Sequence, residues 1–233
     1  MNDEILQYEV VEIRPIETIK RAFHTLGNEY WLFVGICFVG VVLAGFAAAI
    51  LVGPIYCGIY LCCLDQLRRE RVRFETLFRG FDVFVESLVA TLLMIAFSCV
   101  PIVLGIICVV LSIVGGAAMG DAVGAAFIVM AIAILVILLL SVQLLVGVLC
   151  GFAYPLIIDR RMQALPALKA SFAAAKDNFS GLLLLNLVLL LLGFLGGLMC
   201  CVPAILLVPI HFMALALVYE DVFPRADELG EPR

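Results

Sequence analysis

The chain has 233 residues, of which 65% are hydrophobic and only 14% charged, and its formal net charge is −5. Ordinary soluble domains are about 45–50% apolar and about 25% charged, so one water-soluble core of this size cannot hide so much apolar surface. The composition predicts an integral membrane protein and excludes a soluble enzyme, a nucleic-acid-binding module and a secreted disulfide scaffold.

Residues 1–30 are expected on the cytoplasmic side. Asp3, Glu4, Glu9 and Glu12 precede the first basic residue, Arg14, unlike the basic start of a secretory signal peptide, so internal apolar segments should drive insertion. Pro15 suits the first turn of a helix, with Ile16, Ile19, Phe23 and Leu26 on one face and Lys20 and Arg21 on the other. Residues 31–67 should form spans one and two, with a break at Gly53-Pro54 because proline cannot donate a backbone hydrogen bond. A charged elbow follows over 68–86, where Phe74, Leu77, Phe78, Phe81 and Val85 oppose Arg73, Glu75, Arg79, Asp82 and Glu86. Span three is expected over 87–114 and span four over 122–158, around a glycine-rich outer turn. A second elbow covers 159–180, with Leu165, Leu168, Phe172, Ala175 and Phe179 opposite Lys169 and Lys176. Spans five and six occupy 181–219, breaking at Gly196-Gly197, and 220–233 form a tail.

Charge decides the number of crossings. A spanning helix needs about 20 apolar residues, and Lys and Arg favour the cytoplasmic side. With six spans, all 14 basic residues fall inside and none outside. Both termini are then cytoplasmic. If the first and last runs crossed only once, the two middle basic loops would face away from the N-terminus. A re-entrant first pair stays open, because non-helical backbone at depth is tolerated under protein cover. The expected fold class is an all-α transmembrane bundle of three hairpins, each preceded by an amphipathic helix in the inner interface.

The three units resemble one another. Ile19-Lys20-x-x-Phe23 matches Leu168-Lys169-x-x-Phe172, and Leu64-Asp65, Ile158-Asp159 and Glu220-Asp221 place an acid where each even span ends. These repeats run parallel, unlike the inverted repeats common in alternating-access transporters. Ala167-Leu168-Lys169-Ala170-Ser171-Phe172, Leu77-Phe78-Arg79-Gly80-Phe81 and the stretch from Pro209 through Tyr219 carry a wider likeness. The chain resembles a large class of poorly characterised six-helix prokaryotic membrane proteins, which includes the membrane domain attached to some glycerophosphodiester phosphodiesterases. The resemblance implies a fold and a prokaryotic cytoplasmic membrane; it brings no catalytic residues, and the phosphodiesterase domain is absent.

Chemistry is sparse. There is no H-E-x-x-H zinc motif and no phosphate loop, and no Asp or Glu lies inside a predicted span. No cofactor or metal is expected. The nine cysteines lie in apolar runs and read as packing residues; Cys62-Cys63 beside a basic stretch also fits S-palmitoylation. Gly147-x-x-x-Gly151 and Gly193-x-x-x-Gly197 are small-residue pairs that suit close helix packing, within the bundle or between copies. Ser98, Ser141, Gln143, Asn186 and His211 are polar residues within spans, where hydrocarbon makes them costly unless partnered. Gln143 and His211 are expected to point into the bundle. Arg73, Phe78, Arg79 and Phe81 are expected at the inner headgroup level. These features favour a non-enzymatic scaffold, regulator or lipid-interacting protein, whose partners are membrane lipids, another membrane protein or a second copy. The alternative is a small-solute or lipid transporter using the central polar cluster.

Overall fold

The structure, a computed structural model, describes residues 8–46, 49–117, 121–199 and 202–225. Every regular element among them is helical: α1 (Pro15–Leu26), α2 (Tyr30–Phe46), α3 (Ala49–Leu67), a 3₁₀ segment (Phe74–Val83), α4 (Phe84–Ala117), α5 (Asp121–Cys150), α6 (Ala153–Asp159), α7 (Ala164–Asp177), α8 (Phe179–Leu198) and α9 (Val202–Val222). Among the described residues six stretches are long and apolar enough to cross a membrane. The chain forms two compact units, Met1–Leu92 with Val148–Arg233, and Leu93–Gly147.

In the larger unit the ends of the even spans form the centre. Helix α3 packs against both α6 and α9, and in the α6 region Tyr154 meets Tyr56 edge-on while Phe152 lies tilted against Tyr219. Helices α2 and α8 pack outside α3 and α9. Each elbow then lies on the span that precedes it. The 3₁₀ segment packs on α3, α7 on α6, and α1 on α9. The first elbow thus closes the ring onto the last span, as a threefold repeat requires.

The connections that follow α3 and α6 share a backbone device. Arg69 and Arg161, just past α3 and α6, both take positive φ, at 57° and 52°, the left-handed conformation that commonly ends a helix. After α3, Glu70 N–H donates to the Asp65 carbonyl (2.9 Å) and Arg69 N–H to that of Gln66 (3.2 Å), which satisfies the last-turn carbonyls. Both connections then pass through an extended residue, Arg73 or Gln163, into the next elbow.

The first hairpin does not break at Gly53-Pro54. Pro54 stands inside α3, which is helical from Ala49 to Leu67. The glycines of α3 serve close approach instead. A Cβ on Gly58 would collide with the Leu77 carbonyl oxygen, one on Gly80 with the Pro54 carbonyl oxygen, and one on Gly53 with the Ser87 carbonyl oxygen. Backbone therefore meets backbone along α3, the 3₁₀ segment and the start of α4. The second break lies between Leu198 and Val202, beside the expected position. There Gly196 is the tight residue, its added Cβ lying 2.9 Å from Ala204 N, whereas Cβ atoms on Gly193 or Gly197 meet no described atom within 4 Å. Gly151 ends α5 and forms the turn into α6, and Gly147 lies one turn earlier. Within the smaller unit, Gly105 of α4 faces Leu135 of α5, with 2.5 Å between an added Cβ and the Leu135 Cδ1.

Candidate functional site

In each elbow the hydropathy stripe is divided, some of its residues pointing out of the protein and others buried. In the 3₁₀ segment, Leu77, Gly80 and Val83 are buried, while Phe78 is 47% and Phe81 36% exposed. Three residues per turn put i and i+3 in register, so Phe78, Phe81 and Phe84 form an outward ladder with ring centroids 6.4 Å apart at each step. Helix α7 buries Ala164, Ala167, Ser171, Ala174 and Ala175 and exposes Leu165 and Phe172. Helix α1 buries Thr18, Ala22 and Leu26 and exposes Ile16 and Phe23. The buried faces are mostly small residues joined by Leu26, Leu77 and Val83, and most of the phenylalanines point away from the protein.

The ends of α3, α6 and α9 carry a shared ion-pair network. Arg68 Nη1 donates to Asp159 Oδ1 at 2.7 Å and its Nε to Glu220 Oε1 at 2.8 Å. The three side chains are 15%, 8% and 19% exposed. Arg68 Nη2 also lies 2.8 Å from Glu220 Oε1, but off the hydrogen-bonding direction, so that buried nitrogen has no hydrogen-bond acceptor. Burial works against the Arg68 charge, yet the Asp159 and Glu220 carboxylates outweigh it and hold the guanidinium pKa above its ordinary value. Tyr219 Oη donates to Asp159 Oδ2 at 3.0 Å, and Arg160 and Arg225 stand 3.6 Å from the same carboxylate. Two of the three repeated acids are thereby joined by one arginine, while Arg21 of α1 pairs with Asp221 at 3.0 Å.

The third repeated acid behaves differently. Asp65 is 8% exposed, and among the described residues its carboxylate makes no hydrogen bond or ion pair. It lines a cavity of about 540 Å³ at the mouth between α3 and the 3₁₀ segment. Three carboxylates, Asp65, Glu70 and Glu75, and three guanidinium groups, Arg71, Arg73 and Arg79, line it together with Thr76. Arg73 reaches Glu75 at 3.7 Å; Arg71 and Arg79 have no ion pair among the described residues.

Of the five candidate intramembrane polar residues, three bond within their own helices. Ser98 and Ser141 donate to carbonyls four residues back on their own helices, at 2.9 and 2.8 Å, and Asn186 does the same at 3.0 Å, a local bond that satisfies the group without a partner helix. Gln143 is exposed rather than turned inward. His211 is half-buried, edge-on to Phe212 at 5.8 Å. The polar contacts that do join elements are others. Thr91 Oγ1 and Tyr154 Oη lie 3.0 Å apart while Thr91 also donates to Ser87 O. Ser171 Oγ donates to Leu149 O at 2.8 Å and accepts from Phe152 N–H at 3.2 Å, fixing the α5–α6 turn to α7. Runs of small residues at helical spacing were the available signal for Ser171; Thr91 and Tyr154 had none.

Cys62 and Cys63 are fully buried, so their thiols are closed to acylation; Cys200 and Cys201 lie outside the described residues. Among the described residues no group of three His, Cys, Asp or Glu side chains is placed to hold a metal. Comparison with known protein families, with curated proteins and with solved structures finds no match to this chain.

Proposed function

We propose that this is a non-enzymatic protein of a prokaryotic cytoplasmic membrane, with both termini and all three elbows on the inner side, that works by binding inner-leaflet lipid. The observation that carries the reading is the common orientation of the elbows. Each turns a mostly small face to the bundle and exposes at least one phenylalanine, Phe23, Phe78 with Phe81, or Phe172, beside the arginines and lysines of the same end. Apolar groups that sink into the acyl boundary beside basic groups at headgroup level are what an inner-leaflet contact needs. The distribution of all 14 basic residues supports the sidedness, and the resemblance to six-helix prokaryotic membrane proteins supports the location. The transporter reading has less support, since Ser98, Ser141 and Asn186 bond to carbonyls of their own helices.

The test is the paired substitution Phe78→Ser with Phe81→Ser. Both side chains point out of the bundle, so the variant is expected to fold in detergent and to give less folded protein in the membrane. Unchanged recovery and stability in lipid would overturn the reading.

A further inference from the structure

The cavity beside Asp65 has features that a merely basic patch lacks. Its lining is balanced, three carboxylates against three guanidinium groups, so it does not select for net negative charge. Asp65 is nearly buried, has no partner among the described residues, and faces this space. A nearly buried carboxylate without a hydrogen-bond donor is costly. The Arg79 and Arg68 charges offset only part of that cost, to which the Glu70 charge adds. A cation with N–H donors relieves it best, because charge-assisted hydrogen bonds are strong. Arg71 and Arg79, both without ion pairs among the described residues, offer a fork suited to phosphate oxygens. Phe74 and Phe78 stand exposed at the same end of the 3₁₀ segment, 6.2 Å apart, where acyl chains leaving such a headgroup would lie. A volume of about 540 Å³ is within the range of small-molecule sites, about 300–1,000 Å³.

We propose that this cavity binds the headgroup of an ethanolamine phospholipid, its primary ammonium on Asp65, its phosphate on Arg71 and Arg79, and its acyl chains along Phe74 and Phe78. This rests on the lipid-binding reading above and names the lipid class. A quaternary choline group has no N–H to donate, and a glycerol headgroup has no cation, so neither satisfies Asp65.

The test uses the full chain in mild detergent, mixed with equal amounts of phosphatidylethanolamine, phosphatidylcholine and phosphatidylglycerol of identical acyl chains. Retained lipid is counted by native mass spectrometry. The ethanolamine lipid is expected about tenfold over the other two, the scale of one strong charge-assisted contact. Asp65→Asn should bring the three lipids to parity, and Arg79→Gln, at an exposed position, should lower retention of all three. Parity in the unmodified protein, preference for phosphatidylglycerol, or an undiminished ethanolamine preference in Asp65→Asn would each overturn the proposal. So would displacement of the lipid by an equal concentration of soluble glycerophosphoethanolamine, which would make the ligand a solute. If Asp65→Asn does not fold, the comparison in the unmodified protein and Arg79→Gln still decide. Parity would leave the lipid-binding function standing; retention of no phospholipid at all would end both.

Discussion

Within the larger unit, the spanning windows of α3 and α9 bury 61% and 56% of their residues inside the protein, whereas those of the stretches Phe74–Gly115 and Val123–Asp159 bury 6% and 11%. Of these four, the two least buried stretches are the two most apolar. In water the most apolar helix is the most central. In a bilayer lipid is as good a solvent for leucine as leucine is, so apolar surface stays outside and small or polar residues mark the core. Glycines at 53, 58 and 80, the Thr91–Tyr154 contact and the Arg68 network all belong to the larger unit. The hairpin 93–147 has Gly105 against a flexible leucine and serines bonded to their own helices.

That contrast can be broken by mutation, and the largest effect is expected at the ion-pair network. Arg68→Met leaves Asp159 and Glu220 short of a counter-charge, and removing one partner of a buried pair costs about 3–5 kcal/mol. The lower end, about 3 kcal/mol, is expected because part of the guanidinium meets solvent, and thermal unfolding in detergent measures it. The pH dependence has a definite sign. A base whose pKa is raised on folding contributes fully below its unfolded value and loses the contribution only as pH rises through the folded one. For Arg68 that lies far above neutrality, so no loss of its contribution is expected on moderate alkalinisation.

Next comes overpacking. Gly58→Ala puts a methyl group against the backbone of Leu77, which cannot turn aside as a side chain can, and about 1–3 kcal/mol of destabilisation is expected. In the hairpin, Gly115→Ala meets open space and should gain up to about 1 kcal/mol from helix propensity. Opposite signs in the melting temperature would sharpen the comparison; equal losses would break it.

Thr91→Val is expected to cost about 1 kcal/mol, the value of a typical hydrogen bond, because Tyr154 loses its partner. The smallest effect is predicted for Gln143→Leu. Its side chain is already outside, so stability in lipid should stay within about 0.5 kcal/mol of the parent. A large loss there would place an unrecognised core contact in the hairpin.

Much of the architecture is legible in the sequence. Charge-free runs account for the six helices long and apolar enough to cross a membrane, and the acids at the ends of the later even runs supply Asp159 and Glu220, which meet at Arg68. The orientation of the elbows is not legible from a stripe of large apolar residues, because such a stripe fits protein and lipid equally well. A 3.6-residue period also groups Leu77 with Phe78 and Phe81, whereas the three-residue turn separates them. Glycine spacing misleads for a related reason. The pair at 193 and 197 has the expected interval, yet Gly196 is the close contact, since what a glycine permits depends on the segment opposite. Asp65, which lines the cavity, looks in sequence like its two repeats; only the structure shows that among the described residues it makes no ion pair, while Asp159 pairs with Arg68 and Asp221 with Arg21.

The orientation of the phenylalanine ladder is the point on which the functional account turns, and fluorescence measures it directly. The single native tryptophan, Trp31, is replaced by Phe, and Phe78→Trp is introduced for reconstitution into vesicles whose lipids carry bromine at defined acyl depths. The account predicts strong quenching by bromine high on the chain, near the headgroups, and weaker quenching by bromine near the bilayer centre. Emission typical of a water-exposed indole, with no quenching at any depth, would contradict it.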